Sequence, residues 1–384
     1  MNEHVFLIQP NYYTKFPPLG LLKLSTYEKQ KGNTTELITK GVTPKGKPDR
    51  IFVTSLFTWA WEPVRKTISN FKTWYPEVEL TLGGLYASAL PDHAKHFTLA
   101  DKVFEGLHEG AEDLVPDYSL VPDWDASIIF ASRGCINNCV FCIVPKLEGP
   151  ICHEKRSIKK YVHPGHNKLI FFDNNILAMR YWRDIFNEII ELEMEVDFNQ
   201  GLEAALITDE AAEYLSKMKI PLIRVAYDRP EQRKTVKNAI DKLAKFGISK
   251  RKILVYSLFG FNETPDEYLE RVIDMLTWGS VVYPMRYQPV NSLKKDAYVS
   301  PKWTQKQLNM VASARRVIGF GGIFPPYEAL IDKFKKAKNF DEAFELYPIK
   351  KEEDDYISQK IDKYLEYEYQ AKDAPETRNK TNTE

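Results

Sequence analysis

The stretch "SIIFASRGCINNCVFCIVP", Ser127–Pro145, runs from a short β-branched and aromatic segment directly into three of the chain's four cysteines, Cys135, Cys139 and Cys142. A C-x3-C-x2-C spacing puts three thiols on one short turn at the carboxyl end of the strand that "SIIFA" predicts. Three thiolates can hold three corners of a cubane iron–sulfur cluster, whereas a purely structural cluster normally takes four cysteines. An incomplete ligand set leaves one metal position open to a substrate or cofactor, the feature that separates catalytic metal sites from closed structural ones. The same thiols could instead bind zinc, since Cys152 and His153 lie close enough in sequence to supply a fourth ligand. Cys152 otherwise reads as a lone thiol.

Outward from this stretch the chain alternates strand and helix patterns. Upstream come "HVFLIQ", "LGLLKLSTYEKQKG", "TTELIT", "RIFVTSLF", "EPVRKTISNFKTWY", "EVELTLGG" and "DKVFEG". Such βα alternation predicts a parallel sheet with helices on both faces. The proline- and aspartate-rich "VPDYSLVPDWDAS" marks a boundary, which gives one domain over 1–118 and a linker at 119–127. Six further strand candidates with intervening helices occupy 128–300, too few for an eightfold barrel, and predict a partial, open one. Thr264, Pro265 and Glu267 form a capping box with proline at the first helical position. Residues 301–370 read as a helical extension that packs as a cap, and 371–384 as a polar, disordered tail. "GFGGIF" lacks the lysine and flanking strand that a phosphate loop requires.

Composition narrows the function classes. Of 384 residues, 43% are apolar and 28% charged, a balance that suits folded domains rather than disorder. Basic and acidic residues are equal at 53 each, so no overall field recruits nucleic acid or an anionic membrane. No segment approaches the roughly 18 apolar residues of a membrane span, and the N-terminus lacks a signal-peptide pattern. A cytoplasmic location is therefore expected, where clustered cysteines favour metal over disulfides.

"CINNCVFC", with Phe141 just before the third cysteine, resembles the signature of the radical S-adenosylmethionine (SAM) enzymes. The resemblance implies a [4Fe-4S] cluster on Cys135, Cys139 and Cys142, with SAM chelated at the open iron and Phe141 beside its adenine. It also implies reductive cleavage of SAM to a 5′-deoxyadenosyl radical, and a reducing partner such as flavodoxin or ferredoxin. Further segments resemble the family in order. "KLIFFDNNIL" stands where the second barrel strand contacts the SAM amino group, which makes Asp173 the acid, with Asn174 and Asn175 beside it in place of Gly-Gly-Glu. "VDFNQGLEAALITDE" makes Asn199, Gln200 and Glu203 SAM candidates, and "YSLFGFNETPDEYLE" makes Gly260 a close-approach position for the nucleoside. Arg224, Tyr227 and Asp228, ending the fourth strand, are candidate substrate contacts. Asp173 and Glu203 read equally as solvated strand ends, and Thr264 with Glu267 as a helix cap.

"FPPLGLLKLSTYEKQKG" and "LTLGGLYASALPDHA" resemble the cobalamin-binding-type Rossmann-like domain that precedes the barrel in one branch of that family. The two-domain resemblance spans about residues 3–290. It implies a corrinoid tail entering at the carboxyl ends of the strands, where Gly83 and Gly84 allow close approach and Thr54 and Ser55 offer hydroxyls. Trp59 and Trp61 either cover a corrin face or fill the pocket. No D-x-H-x-x-G sequence is present to ligate cobalt, and a scaffold without cobalamin is the competing reading. The expected fold class is thus α/β: a Rossmann-like parallel sheet, then a partial (β/α)6 radical SAM barrel, then a helical C-terminal tail. The expected activity is that of a radical SAM enzyme, as a cobalamin-dependent methyltransferase or, alternatively, a cobalamin-independent enzyme working by hydrogen abstraction. A non-catalytic Fe–S or zinc module is the remaining alternative.

Overall fold

The computed structural model describes residues 2–319 and 327–346. Its first sheet comprises β1 (His4–Ile8), β2 (Thr34–Ile38), β3 (Arg50–Ser55), β4 (Glu79–Gly84) and β5 (Lys102–Val103), all parallel in the order β2-β1-β3-β4-β5. Parallel neighbours need crossovers, and α1 (Leu19–Gln30), α2 (Trp61–Trp74), α3 (Leu85–Ala89) and α4 (Pro91–Phe97) supply them, followed by the single turn α5 (Glu109–Glu112). A strand covered on both faces reads as a continuous apolar run, and β1 is one. Val5 and Leu7 pack with Leu21 and Leu24 of α1, while Phe6 and Ile8 pack with Val64, Ile68 and Phe71 of α2. The strand order reverses between β1 and β3, the switch point outside which open α/β sheets bind their ligands.

The next strand starts within the expected linker. Six parallel strands follow in chain order: β6 (Ala126–Ile129), β7 (Lys168–Phe171), β8 (Glu195–Phe198), β9 (Ile223–Ala226), β10 (Ile253–Phe259) and β11 (Val281–Arg286). Between and after them lie α6 (Val144–Leu147), α7 (Trp182–Leu192), α8 (Asp209–Ser216), α9 (Arg233–Lys245), α10 (Pro265–Thr277) and α11 (Gln305–Ile318). The expected continuous partial barrel is interrupted at one seam, because the ladders are β6-β7-β8 and β9-β10-β11. Pro221, entering β9, has no N–H to give a ladder. The seam is closed by side chains instead: Arg224 pairs with Asp197 of β8, and the Leu202 N–H donates to the Arg224 carbonyl at 2.8 Å. One core nevertheless joins both halves, with Phe171, Phe198, Val225, Val255 and Val282 in a single cluster.

The capping box forms as expected. Thr264 Oγ1 accepts from the Glu267 N–H at 3.2 Å, and Glu267 Oε2 accepts from the Thr264 N–H at 2.6 Å. After β11 the chain packs as helices, α11 against the last strand, then α12 (Tyr327–Lys336) and α13 (Phe340–Phe344). Trp303, Phe340 and Phe344 bury against Tyr268 of α10. The rest of the extension (347–370), the tail (371–384) and "FGGIF" lie outside the described residues. No described helix is long and apolar enough to cross a membrane.

Candidate cluster and cofactor site

The cysteine turn grows from β6 and is tied at its base. Arg133 and Cys152 exchange two backbone hydrogen bonds of 2.9 Å as an antiparallel bridge, and the Cys135 N–H donates to the Gly149 carbonyl at 3.1 Å. Gly134 makes this crossing achievable: its φ is +77°, and a Cβ there would stand 2.1 Å from the Pro150 carbonyl oxygen. At the tip, the Cys142 N–H closes a turn onto the Cys139 carbonyl at 3.0 Å. Cys135 and Cys139 are half-buried, Cys142 is exposed, and all are free thiols.

The end of β7 supports this turn from below. Asp173 accepts from the Ala131 N–H (2.9 Å), the Ser132 N–H (2.5 Å) and the Ser132 hydroxyl (2.8 Å). Complete burial pushes its carboxyl up to about 6, against the pull of those donors. Asn174 donates at 2.9 Å to Glu148 Oε2, which also accepts from the Gly134 N–H at 2.9 Å. Asn175 Nδ2 reaches Cys135 Sγ at 3.9 Å, and its buried Oδ1 has no partner among the described residues. The acid expected to touch SAM is therefore spent on the backbone that carries the cysteines, and the open acceptor belongs to Asn175. Sequence reasoning named Asn175 only as a neighbour. Its signal was its place two residues after Asp173 at a strand end.

Electrostatically the thiols are strained. Desolvation first, and then the other cysteines' charges, push the Cys139 thiol above the ordinary thiol range, with Arg229 opposing. Partial shielding of its sulfur and the charge of Cys135 do the same to Cys142. Thiols that resist ionising together call for a cation among them. Among the described residues no three His, Cys, Asp or Glu side chains are already gathered closely enough to hold a metal ion. The sulfurs thus have to be drawn in by what they bind. The donor set, three thiols on one turn with an open fourth position, suits an iron–sulfur cubane. Cys152 does not complete it: the charged groups acting on its thiol are Glu148, Arg133 and Glu112, and its backbone is fixed at the base of the turn. His153 lines a separate polar cavity of about 320 Å³ with Asp113, Lys155 and Lys160.

Other expected residues divide into those that reach the turn and those that do not. Glu203, after β8, accepts from Asn137 Nδ2 at 2.5 Å and so touches the cysteine turn directly. Asn199 and Gln200 sit beside it at the end of β8, their amides 3.4 Å apart. Phe141 meets Phe261 edge-to-face at 5.8 Å. The adjoining Gly260 has φ +75°, and a Cβ there would press on Leu308 at 2.7 Å. Asp228 caps the Leu258 N–H at 2.8 Å, and burial raises its pKa. With Arg229 it is one of the charges felt by Cys139. Two expected substrate contacts need correction. Arg224 is buried in the seam with Asp197, and Tyr227 turns away into the helical layer, where its hydroxyl donates to Asp274 at 3.2 Å and its ring stacks on Trp278.

At the first sheet the expected cofactor groups already have partners. The Thr54 hydroxyl shares a hydrogen bond with Tyr12. Ser55 donates to the Gly83 carbonyl at 2.7 Å and accepts from the Ala87 N–H at 3.2 Å. Gly84, at φ +97°, is needed because a Cβ would lie 2.2 Å from the Ser55 carbonyl oxygen, so the close approach is strand to strand. Gly83 has no such crowding, its nearest neighbour being Phe104 at 4.0 Å. Trp61 packs on His93 of α4, and Trp59 stacks on Phe57 at 4.7 Å in the loop after β3. That loop meets the one after β11, where Thr58 Oγ1 donates to the Ser292 carbonyl at 2.6 Å. The carboxyl ends of both strand sets thus face a shared junction. The last residues of β1, β3 and β4 include no histidine, so no imidazole is offered to cobalt there.

No protein-family model matches the sequence, and no curated protein matches it. Solved structures do, over both strand sets. The chain has the fold of TsrM, a radical S-adenosylmethionine methyltransferase from Kitasatospora setae. The likeness has a TM-score of 0.58 at 14% identity and covers 76% of this chain and 74% of TsrM with cobalamin and a [4Fe-4S] cluster bound. It recurs, at the same TM-score and identity and over 75% of that chain, for TsrM with its tryptophan substrate and the SAM analogue aza-SAM.

Proposed function

We propose that the chain is a radical SAM enzyme of the cobalamin-binding type, with a [4Fe-4S] cluster on Cys135, Cys139 and Cys142 and SAM at the fourth iron. The observation that carries this reading is the mutually destabilised thiol triad at the carboxyl ends of parallel strands, in a chain with the fold of TsrM. When bound, such a cluster with SAM supplies one-electron cleavage to a 5′-deoxyadenosyl radical, and cobalamin supplies a methyl relay. The chain's own residues do the rest. Asp173 and Glu148 hold the turn through its backbone, so the thiols meet the cluster from a fixed base. The Asn175 Oδ1 is a buried acceptor suited to the ammonium group of SAM, and the Phe141–Phe261 pair offers ring faces and edges to adenine. Glu203, Asn199 and Gln200 form the polar rim. The contact from Thr58 to Ser292 brings the first domain over the mouth, which excludes water from a reactive intermediate. A one-electron donor of flavodoxin or ferredoxin type is the partner this chemistry requires.

Methyl transfer is the reaction that the likeness to TsrM favours. Radical chemistry without cobalamin is the second reading, favoured by the engaged hydroxyls of Thr54 and Ser55. Anaerobic reconstitution with iron and sulfide tests the shared part, with about four iron and four sulfide expected per chain. Dithionite and SAM should then yield 5′-deoxyadenosine, or a methylated product, and Cys139→Ala should abolish both cluster and product. Stoichiometric zinc with no iron–sulfur absorption would sink the proposal. Uptake of hydroxocobalamin, followed by its visible spectrum, separates the two readings.

A further inference from the structure

Arg133 stands two residues before Cys135 and is buried, its guanidinium over the Phe130 ring at 3.3 Å. It donates from Nε and Nη2 to the two oxygens of Glu112, at 2.7 and 3.0 Å, and from Nη1 to Glu148 at 3.3 Å. Glu112 closes α5 at the end of the first domain and is itself buried. It also receives Lys23 of α1, whose ammonium lies 3.4 Å from Glu112 Oε2 and donates to the Glu112 carbonyl at 2.5 Å. On the other side Glu148 holds the Gly134 N–H and Asn174. A continuous buried polar chain therefore runs from α1 of the first domain to the residue before the first cysteine.

Stability alone is a poor reason for such a chain. Desolvating charges costs about as much as their attraction returns, and well-packed apolar residues of similar volume are often as stable. A bidentate guanidinium–carboxylate pair does supply something apolar packing lacks: a planar, directional contact that fixes the orientation of both partners. Here the oriented partner is the backbone entering the cysteine turn.

We propose that Lys23 and Glu112 of the first domain are positioning residues for the iron–sulfur cluster, acting through Arg133 to set the angle at which Cys135 enters its turn. The inference rests on the reading that the thiol triad holds a cluster. It makes the first sheet part of the cluster's support whether or not that sheet binds a cofactor of its own. Partners that orient metal ligands are worth about 10- to 100-fold in affinity or activity, and a contact of that kind is assigned here across a domain boundary.

The test uses the full chain. The triple change Lys23→Met, Glu112→Leu, Arg133→Met removes all three charges together and leaves none unpaired, so its thermal unfolding should match or exceed that of the wild type. Arg133→Lys keeps the charge but loses the planar fork, and provides a second route should the triple variant fail to fold. The readouts are iron per chain after anaerobic reconstitution and the electron paramagnetic resonance spectrum of the reduced cluster, titrated with SAM. The expected result for the folded variants is an apparent affinity for iron or for SAM lower by about tenfold or more. A folded variant with wild-type iron content and a wild-type SAM titration would overturn the inference. A wild-type chain that takes up no cluster would instead overturn the functional reading on which it rests.

Discussion

At the carboxyl edge of the first sheet, Ser55 lies between the Gly83 carbonyl and the Ala87 N–H, Thr54 is paired with Tyr12, and Gly84 is pressed against the Ser55 backbone. At the carboxyl edge of β6 to β8 the backbone is held as firmly, by Asp173 and Glu148, but the groups above it are left wanting. Three thiols raise one another's pKa, and the Asn175 Oδ1 is buried without a partner. Folded chains satisfy their buried polar groups almost everywhere, and departures concentrate where a ligand supplies the missing contact. Two edges with similar topology therefore have different standing. The first is consistent as a finished scaffold, and the second is finished only when something cationic joins it.

The largest effect falls on the first edge. Gly84→Ala forces a left-handed backbone on an L-residue and drives a methyl into the Ser55 carbonyl, with contact at 2.2 Å before relaxation. Adding the left-handed strain to the overpacking gives a loss of about 3–5 kcal/mol, readable by denaturant unfolding. Iron content per folded chain should stay at the wild-type value, because the glycine supports β3 and β4 rather than the cysteine turn. A loss below about 1 kcal/mol would mean that this edge opens easily, and the contrast with the second edge would weaken.

The next effect tests the second edge through pH. Burial raises the Asp173 carboxyl from 3.8 to about 6, so the folded chain holds that proton more tightly than the unfolded chain does. The resulting stabilisation is complete below about pH 4 and is lost as pH rises through 6. Two units at about 1.4 kcal/mol each amount to about 3 kcal/mol. Asp173→Asn does not titrate, so between pH 4 and 7 the wild type should lose about that much stability relative to the variant. A pH-independent difference between the two unfolding curves would show that the carboxyl is not held as the geometry implies.

The contrast also explains which parts of the molecule could be read from sequence. The cysteine triad and the Thr264–Glu267 cap were legible because their members are three or four residues apart, and local geometry follows from spacing. Alternation of strand and helix patterns gave the two parallel strand sets for the same reason. What failed was the assignment of polar side chains to partners. Asp173 meets donors 41 and 42 residues upstream, Arg224 meets an acid 27 residues away, and the acceptor for Tyr227 lies 47 residues ahead. Each was assigned to the site because it ends a strand. Strand ends place a residue at the mouth, but whether its polar atoms are still free depends on chain segments that no local pattern specifies. The interrupted ladder between β8 and β9 has the same origin, since Pro221 was visible but its consequence depended on the strand facing it.

The smallest effect bears on the most contested assignment. Ser55→Ala removes a hydroxyl that makes two hydrogen bonds inside the fold, to the Gly83 carbonyl and from the Ala87 N–H. The Ala87 N–H is left buried without its acceptor, so the loss should be about 1–2 kcal/mol in thermal or denaturant unfolding. If the hydroxyl serves the scaffold, the variant should take up hydroxocobalamin to the same extent and with the same visible spectrum as the wild type, whatever that extent is. If it serves a corrinoid tail, a bound cofactor must draw it out of those two bonds. Uptake would then fall by about tenfold for each 1.4 kcal/mol lost, while stability of the cofactor-free chain changed little. The ratio of those two losses, measured on one protein, decides whether the first edge is a scaffold or a site.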